Sequence, residues 1–259
     1  MLNSLRFSKF FKTALAEVIY SEKHLSRLSR DYLEDVWRLV SKVLSTKQYG
    51  QLSPKIQEVI LGRYLRLDHA YYYESFRVYY KDVDIISVEG QDIVTYTQTV
   101  KVTLKPLSDS GSFKWANRFN WEEDPLSMRV FTEFKVTNQR DESKSIDLVK
   151  ECNEHLAISH TSTIEKEFDS SYEWTLSKTE KRRYPLNKPE HEKIEFDTTK
   201  ITHGMIVDIT YNSNNVKLSF VSRSHTPFED QQNSNNRLTT EFAGILLARQ
   251  GFSVILHKH

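Results

Sequence analysis

Hydrophobic residues follow a helical period through the first part of the chain, up to about residue 70. In the clearest segment they recur every three or four positions and form one stripe, which comprises Leu25, Leu28, Tyr32, Val36, Leu39 and Val43. Such a stripe is typical of an amphipathic helix that packs against a partner surface. Gly50 is a natural stop for that helix, and Ser53 and Pro54 suit the N-cap and first position of the next. We therefore predict about three helices over residues 1–70, used for self-association or partner contact.

The hydrophobic period changes to two near Tyr71, and β-branched and aromatic residues become frequent. Between Ile93 and Leu104 apolar and polar side chains alternate, and a turn at Glu89-Gly90-Gln91 separates this strand from Val83–Val88. Clean alternation implies one buried and one wet face, as in antiparallel sheets. The sequence therefore predicts a mainly antiparallel β-sandwich or barrel.

Later segments complete this expected architecture. Met205–Tyr211 and Val216–Phe220 alternate on either side of a polar turn, and we expect them to form a hairpin. Residues 222–237 are polar and indicate a flexible loop, whereas Leu238–Arg249 has a pattern compatible with a helix. The predicted fold class is therefore α+β, with the N-terminal helices followed by a ligand- or partner-binding β domain over residues 71–259.

Composition restricts the classes of partner and reaction. The 36 basic and 35 acidic residues give a net charge of +1, so an anionic partner needs a local basic patch. The seven glycines are isolated and form no phosphate loop, dinucleotide fingerprint or nucleophile elbow. A single cysteine, Cys152, fits a reducing compartment, and no apolar run is long enough to cross a bilayer. We therefore expect a cytoplasmic protein without a transmembrane segment.

The N-terminal segment has a second interpretation. Arg6, Lys9 and Lys12 lie opposite apolar side chains, and no acidic residue precedes Glu17. This pattern also occurs in mitochondrial presequences and in helices that dock on anionic membranes. Because the apolar pattern continues beyond residue 17, we expect this helix to pack within the helical region instead.

Two segments combine basic and aromatic side chains and are candidate ligand-binding residues. The first contains Lys181, Arg182, Arg183 and Tyr184, and the second contains Trp115, Arg118 and Trp121. Arginine forks beside a ring that can stack suit a phosphate-bearing ligand. The leading hypothesis is a non-catalytic binding or signalling module without a cofactor. It would recognise a nucleotide, a nucleic acid or a protein partner through loops of the β domain, with homo-oligomerisation through the helices.

An alternative hypothesis is catalytic and rests on Asp124, Glu133 and Lys135. An acidic residue followed by E-x-K on a strand resembles the catalytic strand of metal-dependent nucleases of the restriction-endonuclease type. The resemblance implies that the two carboxylates hold Mg²⁺ and that Lys135 assists the attacking water. On such a strand Glu133 and Lys135 share the wet face, while Val130, Phe134 and Val136 are buried.

Two further interpretations involve assembly and metal binding. A second alternative to the binding module is a structural subunit of a larger assembly. Cys152, His155 and His160 have the only metal-like spacing, but no second Cys/His pair completes a tetrahedral set. We therefore expect no resident metal.

Overall fold

The structure, a computed structural model, describes residues 30–50, 54, 69–120, 125–158, 161–186, 191–224, 226–234 and 236–259. Its contacts divide the chain into two units, Met1–Arg66 and Leu67–His259. The predicted α+β class with about three N-terminal helices is wrong. The part of the chain that the structure describes is mainly β, with thirteen strands and two α-helices.

Helix α1 (Arg30–Tyr49) belongs to the first unit. The helix ends just before Gly50, as the sequence predicts. Gly50 has a φ of +54°, a conformation that glycine adopts without steric cost. Leu39 and Val43 of its apolar stripe are 64% and 48% exposed. Leu25, Leu28, Ser53 and the basic residues of the N-terminal segment lie outside the described residues. Neither described helix combines the length and the hydropathy that a membrane span requires.

The second unit is built from strands. In chain order they are β1 (Tyr71–Val88), β2 (Gln91–Pro106), β3 (Ser112–Asn120), β4 (Met128–Asn138), β5 (Ile146–Asp147), β6 (Thr161–Asp169), β7 (Trp174–Pro185), β8 (His191–Asp197), β9 (Thr202–Tyr211), β10 (Val216–Ser222), β11 (Glu229–Ser234), β12 (Arg237–Leu246) and β13 (Gly251–Lys258). A short 3₁₀ helix (Glu142–Lys144) and helix α2 (Val149–Ile158) flank β5.

Three sheets organise these strands. The largest has the order β11-β12-β9-β1-β2-β7-β4-β5, and the others are β10-β13-β8 and β3-β6. Of the described strand pairs, β1 with β9 is parallel and the rest are antiparallel. The predicted turn between β1 and β2 is confirmed, with positive φ at both Glu89 and Gly90.

The two smaller sheets pack on one face of the large sheet. Phe252 of β13 contacts Tyr80 of β1 with 6.3 Å between ring centroids, and Trp115 of β3 contacts Phe134 of β4 at 6.0 Å. All four rings are at most 1% exposed. Because full burial of a side chain such as Phe contributes about 1.5–3 kcal/mol, these rings dominate the packing between sheets. We call the covered side of the large sheet its inner face and the opposite side its outer face.

The predicted hairpin of Met205–Tyr211 with Val216–Phe220 is wrong. Strand β9 pairs with β1 and β12, whereas β10 pairs with β13 in another sheet. The turn between them therefore carries the chain from one sheet to another. Its position is fixed by β1, because Asp84 accepts hydrogen bonds from the side-chain amides of Asn212 and Asn215 at 3.0 and 2.9 Å.

Two further expectations are wrong, namely the helix over Leu238–Arg249 and the loop over 222–237. Strand β12 occupies the first segment, and β11 lies within the second and pairs with β12. In β12 Leu238, Thr240 and Phe242 are buried at a period of two. Pairing with β9 and burial of one face override the weak helical pattern, as tertiary context commonly does.

Candidate ligand-binding cleft

Strand β7 places the first predicted segment on two different faces. It lies between β2 and β4, and successive side chains of a strand point to opposite sides of the sheet. Arg182 and Tyr184 share the inner face, where the rings of Tyr184 and Tyr96 contact each other. Lys181 and Arg183 lie on the outer face, and Arg183 donates to the Leu126 carbonyl at 2.9 Å. The four residues therefore do not form one continuous patch.

The inner face of β7 carries a buried carboxylate, Glu180, which is 0% exposed. Arg129 Nε lies 2.7 Å from Glu180 Oε2, and Arg182 Nη2 lies 3.2 Å from Oε1. Lys178 Nζ is 3.9 Å from the same Oε1. These four side chains form what we call the inner charge cluster. Within it three cations surround one carboxylate.

The pKa values follow from this arrangement. Burial alone would raise the pKa of Glu180, but Lys178, Arg182 and Arg129 together lower it to about 2. Burial lowers the pKa of Lys178, and repulsion from Arg129 and Arg182 adds to this, while Glu180 opposes it. Because one carboxylate cannot neutralise three cations, the cluster holds excess positive charge in a mostly desolvated place, which is costly.

Lys178 also lines a cleft of about 170 Å³. The remaining lining combines four aromatic residues with aliphatic and polar ones: Tyr73, Phe76, Trp115, Phe196, Val100, Val102, Leu176, Asn117, Asp197, Thr198 and Thr199. Clefts with mostly apolar walls and a few convergent polar groups are typical of small-molecule sites. We call this the Lys178 cleft.

The ammonium of Lys178 has unused donors. Its side chain is 14% exposed, and the Phe131 ring centroid lies 5.9 Å from Nζ. The distance to Glu180 is too long for a hydrogen bond, and we find no other acceptor for this ammonium among the described residues. An ammonium carries three donors, so Lys178 has hydrogen-bonding capacity that the described residues leave unused.

The opposite wall of the cleft is a fixed backbone segment at the end of β8. Thr198 donates its amide to the Gln250 carbonyl at 2.9 Å, and its hydroxyl bonds the Leu247 carbonyl at 3.1 Å. Gly251 lets β13 approach here, because a Cβ at this position would lie 1.9 Å from the Phe196 carbonyl oxygen. The cleft wall therefore depends on glycine at position 251.

Asp197 contributes the acidic group of this wall. Burial raises the pKa of Asp197, while Arg223, whose Nη1 lies 3.2 Å from Asp197 Oδ1, opposes the rise. The carboxyl side chain is 39% exposed, so it belongs to the open side of the cleft. Asp197 and Lys178 thus belong to the lining of one cleft.

The second predicted segment is divided by burial. Trp115 is 1% exposed, packs on Phe134 and Phe168, and lines the Lys178 cleft. Arg118 of the same strand is exposed, and Trp121 lies outside the described residues. Of the three residues of this segment, Trp115 is therefore the one that lines the same cleft as Lys178.

The residues of the nuclease hypothesis are placed on the outer face of β4. Exposed Glu133 accepts hydrogen bonds from Ser177 Oγ at 2.7 Å and Thr179 Oγ1 at 3.2 Å, and Lys135 shares its face. Asp124 lies outside the described residues. The expected burial of Val130 is wrong, because an irregularity between Phe131 and Glu133 shifts the register and leaves Val130 39% exposed.

Candidate metal ligands do not come together in the part of the chain that the structure describes. There we find no group of three or more His, Cys, Asp or Glu side chains that could hold an ion. Burial raises the pKa of Cys152 to about 12, so its thiol stays protonated at neutral pH. His160 lies outside the described residues.

Sequence reasoning missed the roles of Glu180 and Arg129. One signal was available, since Trp174 and Leu176 define the inner phase of β7 and that phase continues through Lys178 and Glu180. Arg129 gave no local signal. It meets Glu180 only because β4 pairs with β7.

Comparison with known proteins adds little. No family model matches the chain, and no curated protein matches it. It is similar to a Parabacteroides distasonis protein provisionally described as a protease (8% identity, TM-score 0.42), covering 73% of this chain but 40% of that one. A Legionella pneumophila protein provisionally described as nutrient-binding has 8% identity and a TM-score of 0.39, and the match covers 73% of this chain and 67% of that one. Biomphalaria glabrata acetylcholine-binding protein type 1 has 11% identity and a TM-score of 0.24, and the match covers 80% of this chain and 98% of that one. TM-scores below 0.5 leave function to be argued from the chain itself.

Proposed function

We propose that the unit Leu67–His259 is a binding module that takes up a small organic anion in the Lys178 cleft. One observation carries the proposal: Lys178 lines the cleft, and its mostly buried ammonium has no hydrogen bond among the described residues. A carboxylate or phosphate group would accept from this ammonium in a charge-assisted hydrogen bond.

Charge in the inner cluster supports an anion rather than a neutral ligand. Arg129, Lys178 and Arg182 exceed the single carboxylate of Glu180, and burial already lowers the pKa of Lys178. A bound anion would offset part of the excess positive charge and favour the protonated ammonium. Affinity for the anion should therefore decline as the pH rises and Lys178 loses its proton.

Cleft size and lining indicate which anions fit. A volume of about 170 Å³ corresponds to roughly six water molecules, which suits a small aryl or alkyl acid and is small for a whole nucleotide. Trp115 and Phe196 offer apolar rings for the body of such a ligand. We therefore propose a monocarboxylate or monophosphate with an apolar body as the ligand class.

The test is titration calorimetry of the full chain with benzoate and phenyl phosphate, with benzyl alcohol as the uncharged comparison. Lys178→Met should weaken binding of both anions at least about tenfold, because it removes a charge-assisted hydrogen bond. Thermal stability should not fall, since the substitution removes a poorly compensated buried cation.

Lys181→Met is the matched control, because it removes the same charge three positions along β7 on the outer face. It should change anion affinity less than about twofold, as expected for a screened surface charge. Equal losses in the two variants, or benzyl alcohol binding as tightly as benzoate, would refute the proposal.

A further inference from the structure

The outer face of the large sheet carries a second concentration of positive charge. Five exposed cations lie on its central strands: Arg77 and Lys81 of β1, Lys101 of β2, Lys181 of β7 and Lys135 of β4. We find no ion pair of these five side chains among the described residues. We call this set the basic face.

Strand register arranges the basic face in two rows. The first row contains Arg77, Lys101 and Lys135. Arg77 pairs directly with Lys101, and Ser177 of β7 pairs with Lys101 on one side and Lys135 on the other. Neighbouring strands lie about 4.8 Å apart, so Arg77 and Lys101 on adjacent strands are roughly 5 Å apart. Lys101 and Lys135 are two strands apart and therefore roughly 10 Å from each other. Lys81 and Lys181 flank Thr97 in the second row, about 13 Å away along the strands.

On β1, β2 and β7 the side chains between the two rows are neutral and include an aromatic ring, and Asp208 of β9 and Glu133 of β4 lie at either end of this line. Tyr79, Thr99 and Thr179 lie in register across β1, β2 and β7. All three are partly exposed on the outer face. A ring framed by hydroxyls and cations is the kind of platform on which an unpaired base stacks.

Carboxylates at the edges of the basic face offset part of its charge, and Asp147 of β5 pairs in register with Lys135. Glu133 accepts hydrogen bonds from the hydroxyls of Ser177 and Thr179. Asp208 is engaged by Arg237, whose Nη2 lies 2.6 Å from it. The five cations outnumber Glu133 and Asp147, so the basic face keeps a positive field although the chain as a whole has a net charge of only +1.

We propose that the basic face binds single-stranded nucleic acid. Its phosphates contact the two rows of cations, and a base stacks on Tyr79 between them. Regularly spaced cations match a ligand with one charge per nucleotide, and an open sheet face admits bases that are splayed from a single strand. This site is separate from the Lys178 cleft, because its side chains point to the other side of the sheet.

The test uses fluorescence anisotropy of a labelled twelve-nucleotide oligothymidine with the full chain at several salt concentrations. If all five cations contact phosphates, the affinity should fall with a log–log salt slope of roughly −3.5. Replacing Arg77, Lys101 and Lys181 together by Gln should weaken binding more than tenfold and reduce the slope by about 2.

A matched triple variant removes the same charge elsewhere. Lys114→Gln, Lys150→Gln and Lys217→Gln affect exposed lysines outside the basic face and should leave affinity within about twofold. Tyr79→Ala should weaken binding about tenfold or more, whereas Tyr79→Phe should keep it, because the ring alone supports stacking. Circular dichroism and melting curves confirm that every variant is folded.

Three results would overturn this proposal. One is no saturable binding at low salt, and another is equal weakening by the two triple variants. The third is tighter binding of a duplex, or of vesicles rich in anionic lipid, than of the oligothymidine. Lys178→Met should bind the oligothymidine normally, which separates this site from the small-anion site.

Discussion

The two faces of strand β7 use similar residues in opposite ways. On the inner face Glu180 is fully buried and lies 2.7 Å from Arg129. On the outer face Glu133 of the neighbouring strand is exposed and accepts hydrogen bonds from two hydroxyls. Electrostatic energy is large only where water is excluded, so the inner carboxylate stabilises the fold and the outer one leaves nearby cations available to a partner.

The largest expected effect comes from Glu180→Gln. This substitution leaves Arg129, Lys178 and Arg182 without their buried counter-charge, and removing one partner of a buried pair costs about 3–5 kcal/mol. Urea unfolding should show a loss of this size. A loss below about 1 kcal/mol would mean that the inner cluster is solvated like the outer face.

The next effect is the response to acid. The pKa of Glu180 is lowered from 4.5 to about 2 in the folded chain, so its stabilisation is complete above pH 4.5 and is lost as the pH falls toward 2. The shift corresponds to about 3 kcal/mol. The free energy of unfolding of the parent chain should therefore decline more steeply over this range than that of Glu180→Gln. Equal slopes would contradict the assignment.

The smallest effect should come from Glu133→Gln on the outer face. Glutamine retains an acceptor for Ser177 and Thr179, and the carboxylate is exposed. Stability should change by less than about 0.5 kcal/mol in urea unfolding. Affinity for oligothymidine should rise slightly, because one negative charge next to the basic face is gone. A stability loss comparable with that of Glu180→Gln would erase the contrast between the two faces.

The local pattern predicted the two faces of β2 correctly. Along β2 the residues expected inside, including Val94, Val100 and Leu104, are buried, and the intervening threonines are not. The turn at Gly90 and the end of α1 at Gly50 also follow from glycine's access to positive φ. These features depend on neighbouring residues alone, which is why the sequence was sufficient for them.

Strand partners could not be predicted in the same way. The two strands expected to form a hairpin belong to different sheets, and β9 instead pairs with β1, more than a hundred residues earlier in the chain. A short polar turn permits a hairpin without requiring one. Which partner wins depends on the apolar surface that the whole sheet arrangement buries.

The amino-acid sequence by itself determined the alternation of β2, and with it that Lys101 points away from the core. The segment around Lys181 and Arg182 was expected in a loop and instead forms strand β7. Only the tertiary structure decided that Arg129 meets Glu180, that Trp115 and Asp197 line one cleft with Lys178, and that the outer cations form rows. Side-chain direction is a local property of the backbone. Charge neutralisation and enclosure depend on the register between distant strands, which no local pattern specifies.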